Sequence, residues 1–159
     1  MHFLHIPFWG NEIIQKEYLL QILIQEYKLK YPQLNCEGFY FEIIIRHLMY
    51  LFEWKYVLEY GEKLSNAKWQ AKIISYIDFE ADFKNINLIK RMFVDEKLSK
   101  IIEFVLKKHE KFEFKYTKIC HLCQCTYPNI VLNKYDFIDF KVLSKKYILE
   151  YDFKRTINI

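Results

Sequence analysis

Small residues are scarce in this chain of 159: three Gly, three Pro, three Ala and four Ser. Collagen-like and linker-like chains are excluded by those numbers. Gly10, Gly38 and Gly61 stand alone, so no Gly-rich phosphate loop exists, and no Gly-x-Ser-x-Gly elbow surrounds Ser65, Ser75, Ser99 or Ser144. Long apolar runs are missing too. The most apolar stretch, Phe39 to Tyr60, carries Glu42, Arg46, Glu53, Lys55 and Glu59, whereas a spanning helix needs ~20 nearly uncharged residues. Met1 to Pro7 lacks both a Lys/Arg-rich start and a small-residue cleavage site, so the expectation is a cytoplasmic chain without a membrane segment.

What is present is bulky and charged. Hydrophobic residues make up 52% and charged residues 28%, which excludes a disordered chain, and the length suits one domain, residues 1–159. Aromatics reach 19%, with 14 Phe and 13 Tyr, alongside abundant Ile, Lys and Asn. All these residues have AT-rich codons, so base composition explains the rings without invoking a ligand. Even so, a core built from rings sends some of them to the surface, where rings anchor protein interfaces. Residues 1–83 hold 8 basic and 11 acidic side chains, net −3, and residues 84–159 hold 16 and 9, net +7. The two sum to the net +4 of the chain, an asymmetry that suggests one acidic and one basic surface.

Periodicity predicts a helical body. Asn11 is positioned to cap a helix reaching Lys30, with Ile13, Leu20, Leu23, Ile24, Tyr27 and Tyr31 on one face and Ile14, Tyr18, Ile22 and Leu29 on a second. Phe39–Glu59 reads as a helix apolar nearly all round, ended by Gly61, with a solvent-side polar line Glu42-Arg46-Glu53. Ser65 is placed to cap a third helix over 66–77, burying Ala67, Ala71 and Ile74. Asp95 is placed to cap a fourth over Glu96–Glu110, with Leu98, Ile101, Ile102 and Val105 inward. Beyond residue 111 the period changes to two, with Phe112, Phe114 and Tyr116 alternating with polar neighbours, and a hairpin over residues 140–153 turns at Ser144-Lys145-Lys146. The expected class is therefore α+β and predominantly helical: a body over about residues 11–111 packed with a small C-terminal antiparallel sheet. The alternative is all-α, with a last helix over 136–147.

Three motifs carry possible chemistry. Cys120-His121-Leu122-Cys123-Gln124-Cys125 has zinc-binding residue types, but a structural site needs a second ligand pair and no second C-x2-C exists. Free thiols and no metal are expected in a cytosolic setting. Asp78-x-Glu80-x-Asp82 opens like a calcium loop and then fails, with Phe83 at the sixth position and Ile89 at the twelfth. Acid-x-Lys triplets suit metal-dependent nucleases, yet they begin at Glu26, Glu53, Asp82, Asp95, Glu113, Asp139 and Asp152, too many to diagnose a site.

The candidate binding face lies on the fourth helix. Extended to residue 111, that helix gathers Lys97, Lys100, Phe104, Lys107, Lys108 and Lys111 in one arc, with Glu96, Glu103 and Glu110 alongside. Five lysines could track phosphates, but Lys outnumbers Arg 21 to 3, and Arg is the usual reader of bases and phosphates. With no catalytic motif and no cofactor implied, the expectation is a non-catalytic protein acting on a partner protein, of inhibitor or immunity type, its partner a toxin or effector enzyme. The alternative is a nucleic-acid-binding regulator using the lysine face, and a metal-dependent nuclease is an outside possibility.

Overall fold

The computed structural model describes residues 13–71, 77–80, 83, 91–125 and 137–140. Four helices occur among them: α1 (Lys16–Lys30), α2 (Phe39–Tyr60), α3 (Glu96–Lys111) and α4 (Tyr116–Cys125). Two short strands, β1 (Gln70–Ala71) and β2 (Ile77–Asp78), pair antiparallel, with Gln70 opposite Asp78. No helix of the described residues is long and apolar enough to cross a membrane.

The hub is α2. It packs against α1, α3, α4 and β2, and α1 also touches α3. Residues that are apolar around the whole circumference demand such a position, because exposing any side would leave a hydrocarbon stripe in water. Tyr50, Phe52 and Trp54 are wholly buried, with Phe140 against Tyr50 and Trp54. The helix ends where Gly61 takes the left-handed conformation, φ +73°, and donates its N–H to Val57 O. By contrast α3 is one-sided, burying Leu98, Ile101, Ile102, Val105, Leu106 and His109. Its N-terminus is closed by Asp95, whose Oδ1 accepts from Leu98 N at 2.8 Å.

The start of α1 differs from expectation. Ile14 is extended and bridges Ser65 in parallel, donating to Leu64 O and accepting from Asn66 N, so helix begins only at Lys16. A distant residue supplies the cap: Asn66 Oδ1 accepts from Lys16 N at 2.7 Å while Asn66 Nδ2 donates to Gln15 Oε1. Ile13, Tyr18 and Leu29 are exposed, and the second apolar stripe of α1 is only partly covered.

The helix expected from Asn66 is not formed over 66–71. Ser65 to Gln70 instead alternates, with Ser65, Ala67 and Trp69 buried and Asn66, Lys68 and Gln70 turned outward, which is the period of a strand. The strand expected at Phe112–Tyr116 is overturned as well. Glu113 and Phe114 both sit at positive φ, 56° and 59°, making a tight left-handed turn from α3 into α4. Burial of the Phe114 ring against Tyr31 and His109, each 4.9 Å between centroids, offsets the strain of that turn. The described residues therefore support the helical body and not a C-terminal sheet. The hairpin of residues 140–153 lies outside them except for Phe140, which is helical and not extended. Of the alternative last helix over 136–147, residues 137–139 are not helical, with Phe137 bridged antiparallel to Gln70 and Ile138 N donating to Trp69 O at 2.9 Å, whereas Phe140 is helical.

Candidate functional site

The sequence-derived face of α3 is assembled in space, together with the end of α2. Lys97 Nζ sits 3.7 Å from the centre of the Tyr60 ring and donates to Tyr56 Oη at 3.1 Å. Phe104 is half-buried between Lys55 and Lys108, whose ammonium groups lie 4.6 and 5.5 Å from its ring centre. Lys100 pairs with Glu96 at 3.2 Å, and Lys107 with Glu103 at 2.8 Å, each one helical turn away. Glu110 pairs across to Lys30 of α1 at 3.4 Å, and Lys111 is exposed. Partial burial, with Lys111 nearby, lowers the basicity of Lys108. The lysines share an arc, but most of their charge is already matched by carboxylates or seated over rings.

Glu53 belongs to no solvent-side line. It is fully buried, a correction to the polar line expected along α2. Its Oε1 accepts from the Ser65 N–H at 2.8 Å and from the Ser65 hydroxyl, and its Oε2 accepts from the Trp69 indole N–H. Burial raises its pKa, against the opposing pull of Lys63 and of the hydrogen bonds from Ser65 and Trp69. Arg46 is half-buried, donating to Phe79 O at 2.7 Å and stacking 4.5 Å from the Phe83 ring centre. The segment after α2 folds back over the side that an isolated helix would show to water. Acid-rich spacing in α2 could not reveal this, because the covering chain comes later in the sequence.

A second buried polar group joins α1 to α3. His109 is fully buried, with Nε2 hydrogen-bonded to Tyr27 Oη at 3.1 Å, and Nδ1 has no hydrogen-bond partner among the described residues. Burial depresses its pKa to about 4, opposed only by neighbouring Glu110. Tyr31 donates to Leu106 O at 3.1 Å, and burial pushes the Tyr27 phenol up to about 12. The neutral imidazole is a packed, hydrogen-bonded strut between α1 and α3.

The cysteine cluster lies on α4, not on a strand. Cys123 is fully buried and donates to His47 O of α2 at 3.5 Å, whereas Cys120 is half-buried with its thiol pushed up to about 11 by burial. Cys36, Cys120 and Cys123 are free thiols. Among the described residues no group of three His, Cys, Asp or Glu side chains is gathered to hold a metal ion. Glu113-Phe114-Lys115, the triplet placed on an expected strand, occupies the left-handed turn, with Glu113 and Lys115 paired to each other at 3.1 Å. Asp95, which begins another of these triplets, is the cap of α3.

A cavity of about 830 Å³ was not foreseen. Asn66, Lys68 and Gln70, the outward residues of the extended segment, line it with Lys16, Phe79, Glu80 and Phe137. Alternation of Asn, Lys and Gln with Ser, Ala and Trp was the available signal for this face. Elsewhere, Phe39 (67% exposed) and Tyr40 (59% exposed) stand out from the start of α2, with Tyr40 against Tyr116 of α4. No family model, curated protein or solved structure matches this chain.

Proposed function

We propose that the chain is a non-catalytic binding protein that occupies the surface of a partner protein, an inhibitor or immunity-type protein directed at a toxin or effector enzyme. The contact face is Lys97, Lys100, Phe104, Lys107, Lys108 and Lys111 of α3, together with Tyr60 of α2. The observation that carries this reading is the local matching of charge on that face: Lys100 to Glu96, Lys107 to Glu103, and Lys97 over Tyr60. Tracking a phosphate backbone favours free cations, since each phosphate contact releases a counterion. Protein interfaces are enriched in aromatic rings, which Tyr60 and Phe104 supply on this face. Exposed Phe39 and Tyr40 add further ring surface of the same kind.

Two measurements together test this. Duplex DNA and RNA titrated across a fourfold salt range should show no affinity tighter than micromolar at physiological salt. Co-purification from the native host after nuclease treatment should retain a protein companion, and that companion should be lost in a Tyr60→Ala, Phe104→Ala variant. Submicromolar nucleic-acid binding with a steep salt slope would instead establish the regulator.

A further inference from the structure

On α3, Lys100 and Lys107 have carboxylates one turn away, whereas the lysines that line the 830 Å³ cavity have none paired to them among the described residues. Lys16 and Lys68 line it, and Lys63 lies close enough to both for each to lower its basicity, behind the effects of burial and of Glu53. Neither Lys16 nor Lys68 forms an ion pair with a carboxylate among the described residues. Lys63 has the buried Glu53 carboxylate as its counter-charge, so the cations open to the cavity are Lys16 and Lys68, and a bound anion would supply the partner that neither has among the described residues.

The rest of the lining is equally directional. Asn66, Lys68 and Gln70 project from one face of an extended segment whose other face is held by Glu53 through Ser65 and Trp69. Phe137 presents a ring that is 66% exposed, pinned by its backbone bridge to Gln70. Phe79 also lines the wall and is buried, its ring 4.5 Å from that of Trp69. An exposed ring at the mouth of a cavity offers a stacking face for a planar group. Glu80 is exposed on the wall and offers an acceptor for hydroxyl or amino donors. The volume falls in the range of small-molecule sites.

We propose that this cavity binds a nucleoside phosphate, with Lys16 and Lys68 at the phosphate and Phe137 against the base. The site lies outside the α3 face, so it would add a small-molecule input to a protein-binding chain.

Calorimetric titration at pH 7 and low salt with adenosine monophosphate, adenosine, ribose 5-phosphate and inorganic phosphate tests the assignment. Adenosine monophosphate is expected to bind saturably, at least about tenfold tighter than each of the other three. Lys16→Gln with Lys68→Gln should weaken adenosine monophosphate at least about tenfold and leave adenosine unchanged, and matching far-UV circular dichroism will show that the fold persists. Phe137→Ala should weaken adenosine monophosphate while leaving ribose 5-phosphate unaffected. Absence of saturable binding at millimolar ligand, or unchanged affinity in the double-lysine variant, overturns the site. Ribose 5-phosphate binding as tightly as the nucleotide overturns the assignment of a base-bearing ligand.

Discussion

The indole N–H of Trp69 donates to the buried carboxylate of Glu53, sixteen residues earlier on α2. That bond and the two from Ser65 attach the extended segment to the hub helix and set which of its side chains face the cavity. A carboxylate so placed is a fastening for the fold rather than a catalytic acid.

Glu53→Ala leaves three buried donors without an acceptor, each costing about 1–3 kcal/mol. The expected loss in urea unfolding is at least about 3 kcal/mol, and less for Glu53→Gln, which keeps an acceptor oxygen. The pH dependence adds a sign. A raised folded pKa means the folded state holds the proton longer, so this group's contribution declines as pH rises above its ordinary value of 4.5. Unfolding free energies for wild type and Glu53→Gln across pH 4–8 should differ by that downward slope.

His109 acts in the opposite direction. Its folded pKa of about 4 lies below the ordinary 6.5, so its contribution is complete above pH 6.5 and is lost as pH falls toward 4. The difference corresponds to about 3 kcal/mol. In His109→Phe, the slope of stability against pH between 6.5 and 4 should flatten by that amount. An unchanged slope would mean that the imidazole titrates normally in the fold.

Asp95→Ala removes the acceptor for Leu98 N and should cost about 1 kcal/mol. Asp95→Asn should cost little, because the amide oxygen can accept the same bond. Thermal unfolding of the two variants separates capping from simple loss of charge near the helix dipole.

Two left-handed positions should respond with opposite signs. Gly61→Ala meets no atom within 4 Å of the new Cβ, so its cost is conformational alone, about 1 kcal/mol. Glu113→Gly relieves a non-glycine at φ 56° and should stabilise by about 0.5–1 kcal/mol, since its ion pair with Lys115 is exposed. Melting temperatures should therefore move down for one and up for the other.

Changing Lys97, Lys100, Lys107, Lys108 and Lys111 together to Gln should leave the circular dichroism spectrum unchanged. Exposed ion pairs such as Lys100–Glu96 and Lys107–Glu103 contribute little to stability because solvent screens them. If the arc tracked phosphates, wild type would show a log–log salt slope of about −4 to −5 on duplex DNA and the variant would lose it. The expectation is no such slope in either protein.

Helix α2 and helix α3 were legible in the sequence because their signals are local. Gly61 and Asp95 act within a turn of the helices they bound, and Leu98, Ile101, Ile102 and Val105 recur on one face whatever lies beyond. The lysine arc was legible for the same reason, but the α2 rings Tyr56 and Tyr60 under Lys97 were not. Ser65–Gln70 carried two periods at once. Ala67 and Ala71 stand four apart as in a helix, while Ser65, Ala67 and Trp69 alternate as in a strand. Burial of Trp69 with its indole on Glu53 decided between them.

From its own residues, then, the chain determined a helical body with α2 at the centre, since a helix apolar on every side can only be an inner one. Only the tertiary structure decided that Asn66 caps α1 from 50 residues away, that Glu53 is buried, and that Glu113 and Phe114 turn left-handed. The physical reason is common to all three. Each depends on a group brought close by packing of distant segments: a donor for Glu53, orphan helix N–H groups for Asn66, a ring pocket for Phe114. Propensity and spacing describe a residue's neighbours along the chain, whereas burial and hydrogen bonding are settled by its neighbours across it.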